Sequence, residues 1–414
     1  MSSNAPTRGP DAGAAAGATP TRTPIAPAAD LRTTGFDAHL AAVRAFTDEV
    51  LIPAEAEVER TDAIPEAIVQ QMREIGLFAI TLPEAVGGMG WTMEEQVRLT
   101  FEFTRASAVY RSRFSTTIGL CSQMLLDFGT EAQRQRYLPA MASGAVTAAF
   151  CLTEDAAGSD AGNVQTTARR GADGGHVLDG RKRYITNAPD ADLFVIMART
   201  TTQGDANARM SVFLAERGVA GLTTSPPVAM MGQRGSHVGD VVLRDCALGP
   251  EALLGGAEGN GLKMALRGIN HARTHVAATA VGQAVRLLDE ALRHATARRQ
   301  FGQRLADFQA IQLMLGESRA ELAAARALVL DVARRFDDTP RPHVDIAAAK
   351  LFATEMAGRV ADRAVQILGG EGYMNDQPVA RIYRDVRLLR IFEGTSQIHQ
   401  INIAKSMIRT GRVI

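Results

Sequence analysis

Between Ala145 and Leu253 the chain offers no long helical pattern. It runs instead through VTAAFCL, HVLDGRKRYITNA, ADLFVIMART, ARMSVFLAE and VGDVVLRDCAL, parted by Gly, Asn, Asp and Pro. β-Branched and aromatic residues suit a pleated strand, and the residues between them suit turns. Parallel strands call for long crossover connections, usually helices, and none intervenes, so an antiparallel β domain is expected. The usual dinucleotide-binding plan is excluded, because no strand runs into GxGxxG and a helix. GGAEGNG, from Gly255 to Gly261, reads as a turn cluster with the wrong spacing for that fingerprint.

Helical patterns flank this stretch. Leu40, Val43, Phe46, Val50 and Leu51 recur at helical spacing. Pro65 suits a first turn, Gly76 a helix end, and Thr92 with Glu95 a capping box. After Leu262 three long segments, Lys263 to Arg299, Phe308 to Phe336 and Val344 to Leu368, are rich in Ala, Leu, Arg and Glu; Pro340 and Pro342 part the last two. The expected fold is therefore α+β: an N-terminal helical domain over 36–144, a central β domain over 145–261 and a C-terminal helical bundle over 262–414. Residues 1–35 are mostly Ala, Pro, Thr and Gly. Such a segment buries too little apolar surface to offset its ordering entropy, and a disordered tail is expected.

Composition removes several functions. Lys plus Arg and Asp plus Glu each total 45, so no global basic field exists for nucleic acid or an anionic membrane. No apolar run is long enough for a membrane span. Cys121, Cys151 and Cys246 are too few and too scattered for a disulfide framework or a zinc cluster, and they fit a reducing, cytoplasmic setting. His271 and His275 stand four apart, a spacing that can hold a metal, but neither HExxH nor a third ligand accompanies them. No GxSxG elbow supports acyl transfer through a serine.

Four blocks carry candidate chemistry. FCLTEDAAGSDAGNV, Phe150 to Val164, supplies Thr153, Glu154, Asp155, Gly158 and Ser159 at a strand end, either a cradle for a phosphate or flavin edge or a plain Asx/ST-turn loop. RYITNA brings Tyr184 and Thr186 to another strand terminus. RRQFG, from Arg298 to Gly302, breaks a helical pattern with an arginine suited to phosphate or merely to solvent. Arg381, Arg384, Arg387 and Arg390 form a basic stripe suited to pairing with carboxylates, and Glu393 follows Ile391 and Phe392 at a helix break. A carboxylate beside apolar groups can serve as a base; Thr395 or Ser396 can equally make this turn a plain helix cap.

Taken together, CLTEDAAGSD, DGRKRYITNAPDAD, MGQRGS, RRQFG, AVQILGGEGY and YRDVRLLRIFEGTSQI resemble the acyl-CoA dehydrogenase family from about Phe36 to Ile403. That resemblance implies a FAD enzyme that converts an acyl-CoA thioester to the trans-2-enoyl-CoA. A glutamate takes the α-proton, a β-hydride goes to flavin N5, and an electron-transferring flavoprotein takes the electrons. By resemblance Glu393 is the base; relatives that carry it instead on the first C-terminal helix would have it at the position of Ala272. Arg273 and Ser159 fall at the substrate, and Thr153, Gly158, Ser159, Tyr184 and Thr186 along the flavin. Thr395 and Gln397 fall near FAD, while Arg298, Phe301, Gln366, Gly369 and Gly370 would reach the FAD of a neighbouring subunit, as in a dimer of dimers. Asp155, Tyr184 and Asn270 depart from the usual proline, tryptophan and aspartate. Two rivals are a short acyl-CoA oxidase that uses dioxygen and a non-catalytic flavin-binding partner subunit.

Overall fold

The computed structural model describes residues 33–200, 209–338 and 343–413. The tail expected over 1–35 falls outside them up to residue 32, as does the break at Pro340 and Pro342.

Between Phe36 and the sheet lie seven α-helices: α1 (Phe36–Phe46), α2 (Ile52–Thr61), α3 (Glu66–Glu74), α4 (Met93–Phe103), α5 (Val109–Thr116), α6 (Ser122–Phe128) and α7 (Glu131–Ala142). Single π-helical turns, Thr47–Leu51 and Thr117–Cys121, join α1 to α2 and α5 to α6. The capping box is present at α4, where Thr92 N donates to the Glu95 carboxylate at 2.8 Å and Glu95 N to the Thr92 hydroxyl at 3.3 Å. Thr130 and Gln133 repeat the device at α7.

The central domain is one seven-stranded sheet of β1 (Ala148–Cys151), β2 (Thr167–Arg170), β3 (His176–Thr186), β4 (Leu193–Thr200), β5 (Arg209–Glu216), β6 (Leu222–Thr224) and β7 (Val238–Leu248). Four of its pairings are antiparallel, β2–β3, β3–β7, β4–β5 and β6–β7. Two are not. β1 and β2 lie in turn along the same edge of β4, both parallel to it. The sheet is therefore mixed, which corrects the purely antiparallel expectation: the β2–β3 hairpin, rather than a helix, carries the chain from β1 to β4.

β4 explains why its sequence reads as an unbroken apolar run. Leu193, Val195 and Met197 enter a core shared with the N-terminal helices, while Phe194, Ile196 and Ala198 enter a second core on the opposite face. A strand buried on both faces has no polar side to alternate with. The first core is not made by the N-terminal helices alone: Val212 and Leu214 of β5 and Met264, Ile269 and Ala272 complete it.

The C-terminal part begins with α8 (Gly261–Ala297), 37 residues long and so about 55 Å from end to end. A two-stranded hairpin, β8 (Arg299–Gln300) and β9 (Gln303–Arg304), precedes α9 (Gln309–Arg334), α10 (His343–Leu368), α11 (Pro378–Leu388) and α12 (Ser396–Thr410). α8, α9, α10 and α11 share a third core with Met93, Val97 and Phe101 of α4. α8 approaches α4 closely because Gly282 has no side chain; a Cβ there would lie 2.1 Å from Thr104 Oγ1 and 2.7 Å from Phe101 O. Three of the four arginines of the basic stripe pair with carboxylates: Arg381 with Glu55 at 2.5 Å, Arg384 with Glu59 at 2.6 Å and Arg390 with Glu355 at 3.1 Å.

Candidate active site

A cleft of about 1040 Å³ opens where the sheet, α5, α8 and the turn before α12 converge. Much of its wall is apolar: Leu120, Phe150, Leu266, Ile269, Val276 and Leu389 all face it. Polar groups enter at a few places, which is the usual make-up of a small-molecule site.

Glu393 is one of them. It lies between α11 and α12 with φ 55°, followed by Gly394 at φ 94°. A non-glycine residue in this left-handed region costs about 1–3 kcal/mol and persists only where its surroundings over-determine it. Here they do. Arg273 Nε donates to Glu393 O at 2.8 Å, and Lys350 Nζ donates to Gly394 O at 2.8 Å. A side chain at residue 394 would lie 3.1 Å from Arg273 Nη2 and 3.3 Å from His399 Nε2. Thr395 then caps α12, its hydroxyl accepting from Ile398 N at 3.2 Å. Thr395 is thus the cap, as one reading of this turn had it, and Glu393 faces the cleft.

Electrostatics at the turn are dominated by burial. Burial pushes the Glu393 carboxyl above its ordinary range, while Arg273, Arg111 and Lys350 pull it back. Burial also lowers Arg273, takes Lys350 down to about 8 and Arg111 to about 10, with Glu393 opposing each. Three cations and one carboxylate thus share a poorly hydrated pocket. Raised carboxyls in clefts are typical of proton-transferring sites. Ala272 also lines the cleft, so α8 offers no carboxylate at that position. Asn270 accepts from Arg273 Nη1 at 2.8 Å and helps to fix that arginine.

The loop after β1 forms another wall. Glu154 is buried; it accepts from Lys182 Nζ at 2.7 Å, Gln165 N at 2.5 Å and Thr166 N at 3.0 Å. Burial works against its ionisation, but Lys182 and these donors hold its pKa below the ordinary value. Glu154 therefore anchors the loop, and Thr153, Gly158 and Ser159 line the cleft. At Gly158 a Cβ would meet nothing within 4 Å, so the backbone there is open to a ligand. Tyr184 and Thr186 line the same wall from the end of β3. Tyr184 has φ 55° and is 59% exposed, with the Arg183 guanidinium 4.7 Å from its ring centre. Asp155 holds that guanidinium from the other side.

Eight of the residues singled out in the sequence thus meet at one cleft: Thr153, Gly158, Ser159, Tyr184, Thr186, Arg273, Glu393 and Thr395. Six do not. Gln397 is exposed on α12, off the cleft wall. Arg298 and Phe301 lie at the β8–β9 hairpin, where Phe301 has φ 50° and is 94% exposed. Gln366, Gly369 and Gly370 lie at the end of α10, exposed. His294 and Glu371, 3.8 Å apart, bring these last two groups to one end of the bundle. His275 is engaged elsewhere, with Thr100 at 3.2 Å and Gln96 at 3.1 Å.

Family models for acyl-CoA dehydrogenases match all three parts of the chain. The N-terminal domain matches residues 36–145, the middle domain 149–246 and the C-terminal domain 259–408. The chain belongs to the acyl-CoA dehydrogenase family. The CarC subunit of the caffeyl-CoA reductase–Etf complex of Acetobacterium woodii is 35% identical to it, over 89% of this chain and 96% of that one. The short-chain specific acyl-CoA dehydrogenase of Sus scrofa mitochondria is 35% identical over 89% of each. The solved butyryl-CoA dehydrogenase of Megasphaera elsdenii superposes with a TM-score of 0.86 at 32% identity, covering 90% of this chain and 98% of that chain.

As an acyl-CoA dehydrogenase the chain is a FAD-dependent enzyme. The cleft suits such a group: it is large, its walls are mainly apolar, and hydroxyls and an open glycine backbone stand along one side with the Tyr184 ring. Two cations that act on Glu393 escaped the sequence reading. Arg111 sits in an unremarkable stretch, AVYRSRFS, and Lys350 in an Ala-rich helix; only folding sets either beside Glu393.

Proposed function

We propose that this protein removes two hydrogens from the α and β carbons of an acyl-CoA thioester to give the trans-2-enoyl-CoA. An electron-transferring flavoprotein is its redox partner. The observation that carries the reading is Glu393, a carboxyl raised by burial, fixed in a left-handed turn and facing an apolar cleft. Glu393 takes the α-proton, and the C–H electron pair becomes the new double bond as the β-hydrogen leaves as hydride. FAD supplies the two-electron acceptor for that hydride. Thr153, Ser159 and Thr186 would hold its flavin edge with the loop backbone at Gly158, beside the Tyr184 ring. Arg273 keeps the base in place through its carbonyl and lies at the substrate. The aliphatic walls exclude water, which brings the pKa of the carboxylate and of the thioester α-carbon closer together.

The exposed cluster of Arg298, Phe301, Gln366, Gly369 and Gly370 fits a role on the FAD of a neighbouring copy, and Gln397 a place near the cofactor's rim. A shared cofactor requires at least a dimer, a dimer of dimers is the assembly we favour, and three free cysteines fit a reducing, cytoplasmic setting. Relatives named as reductases, such as the CarC subunit of the caffeyl-CoA reductase–Etf complex, suggest that this chain could also run the reaction in reverse. The same base would then return the proton, and the partner's potential would set the direction.

Anaerobic titration of the holoenzyme with acyl-CoAs should bleach the flavin band. Glu393→Gln should lower the rate of bleaching by about 10²–10⁴-fold, the usual span for loss of a general base, while thioester binding survives. Bleaching at an undiminished rate in that variant would overturn the assignment of the base. Fast peroxide release without a partner protein would point instead to an oxidase.

A further inference from the structure

A second groove, of about 340 Å³, runs between α10 and α11 and shares no residue with the cleft. Four arginines line it: Arg359 and Arg363 of α10, Arg387 of α11, and Arg390 just beyond that helix. Asp362, exposed, is the one carboxylate on its wall. Three of the guanidiniums are braced by carboxylates that stand off the wall. Glu321 of α9 holds Arg359 at 2.9 Å and Arg363 at 3.1 Å, Glu317 holds Arg363 at 3.0 Å, and Glu355 holds Arg390 at 3.1 Å. Arg387 is exposed and has no ion pair or hydrogen-bond partner among the described residues. Arg390 is only partly satisfied, since its Nε is buried with no acceptor, and a buried donor left so calls for a ligand or a water. Gly358 brings this guanidinium close to α10: a Cβ there would stand 3.2 Å from Arg390 Cζ. Tyr383, 41% exposed and without a ring contact among the described residues, completes the wall.

Guanidinium forks match phosphate oxygens, and bracing from behind fixes them before a ligand arrives. An open aromatic face beside them suits a nucleobase, because every base can stack on it. We propose that this groove is an effector site for a nucleoside diphosphate: the arginines take the phosphates, the Tyr383 ring takes the base, and the bound ligand slows turnover by drawing Arg390 off Glu355. Coenzyme A and FAD carry the same diphosphate group, but their place is the cleft, and neither Gln366, Gly369 nor Gly370 lines this groove. A free nucleotide is therefore the occupant. The link to turnover runs through the segment that carries the base. Arg390 O accepts from Ser396 N at 3.2 Å, and Ser396 Oγ donates to the other oxygen of Glu355 at 2.5 Å. Glu355 thus ties Arg390 to the first residue of α12, and Glu393 lies between those two ends. A phosphate that takes Arg390 from Glu355 loosens this tie.

Calorimetry on the holoenzyme, with FAD in excess and coenzyme A saturating so that the cleft is filled, would compare ADP, pyrophosphate and adenosine. ADP should bind, pyrophosphate more weakly, and adenosine weakest of the three. Arg387→Gln changes an exposed side chain outside the cores and should weaken ADP by about tenfold or more, as loss of a charged hydrogen bond does. Tyr383→Ala should weaken ADP and spare pyrophosphate, and Glu355→Gln, which frees Arg390, should tighten both. In steady state ADP should lower kcat for an acyl-CoA, whereas competition at the coenzyme site would raise KM alone. No ADP binding, or binding indifferent to Arg387→Gln, would overturn the proposal; a changed oligomeric state in Arg387→Glu alongside absent binding would make the groove a contact between copies. Pyrophosphate binding as tightly as ADP would overturn the nucleoside assignment, and ADP binding with kcat unmoved would overturn the effector role. Calorimetry decides the site whether or not the acyl thioester is turned over.

Discussion

Glu393 owes its behaviour to neighbours that are distant in sequence. Arg273, Arg111 and Lys350 each lower its pKa against the push of burial, and each belongs to a different helix. Lys350→Met removes one of these cations, the one buried behind the turn against Gly394 O. The acid limb of kcat/KM for an acyl-CoA should then move to higher pH by roughly one unit, the low end of what a nearby opposite charge contributes. A pH–rate profile of the variant checks this, and an unmoved limb would mean that Glu393 is not the group being titrated. The base itself was legible as a carboxylate after Ile391 and Phe392 at a helix break. Its left-handed backbone and its three cations were not, because they depend on which helices come to rest against the turn. Arg111 illustrates the point. On α5 it is one arginine of two between aromatic residues, and only the closing of α8 and the 388–395 segment around it sets it near Glu393.

At the level of elements, the long helices could be read directly, since Ala, Leu, Arg and Glu over two dozen residues leave little alternative. Their helical segments lie within a few residues of the expected bounds. The strands could be read too, but not their directions. A parallel pair asks only for a connection that returns to the same end of the sheet, and here a hairpin serves. Strand composition carries no record of that choice. Close helix contacts are similarly silent in sequence: Gly282 looks like any glycine in an Ala-rich helix, yet a Cβ there would press into Thr104 and Phe101 of the α4 segment. Gly282→Ala should therefore destabilise the enzyme by about 1–3 kcal/mol, as overpacking does, rather than gain the stability that alanine ordinarily brings to a helix. Thermal denaturation of the holoenzyme decides between the two signs.

Across the whole molecule, buried polar groups tie the N-terminal helices and the sheet to the C-terminal bundle. Asp385 of α11 accepts from Gln233 N and, at 3.4 Å, from Ser107 Oγ. Burial pushes its carboxyl up to about 6, with the Gln233 amide opposing. A carboxyl whose folded pKa is raised stabilises the fold most while protonated. That contribution is present below about pH 4, the unfolded value, and is lost as pH rises to about 6. Each pH unit between the unfolded and folded values is worth about 1.4 kcal/mol, so wild-type stability relative to Asp385→Asn should fall by up to about 3 kcal/mol between pH 4 and pH 7. Urea denaturation of both proteins across that range measures it, and parallel curves would refute it.

The first core, completed by β4, β5 and the start of α8, has a bearing on how the chain is made. A ribosome releases the N-terminal helices long before Met264 and Ile269 exist. Until those residues emerge, the helices display an apolar face with nothing to cover it, and exposed faces of this kind invite aggregation and chaperones. Synthesis of this enzyme thus has a vulnerable interval of more than a hundred residues, opened by its first helices and closed by the one that also carries Arg273.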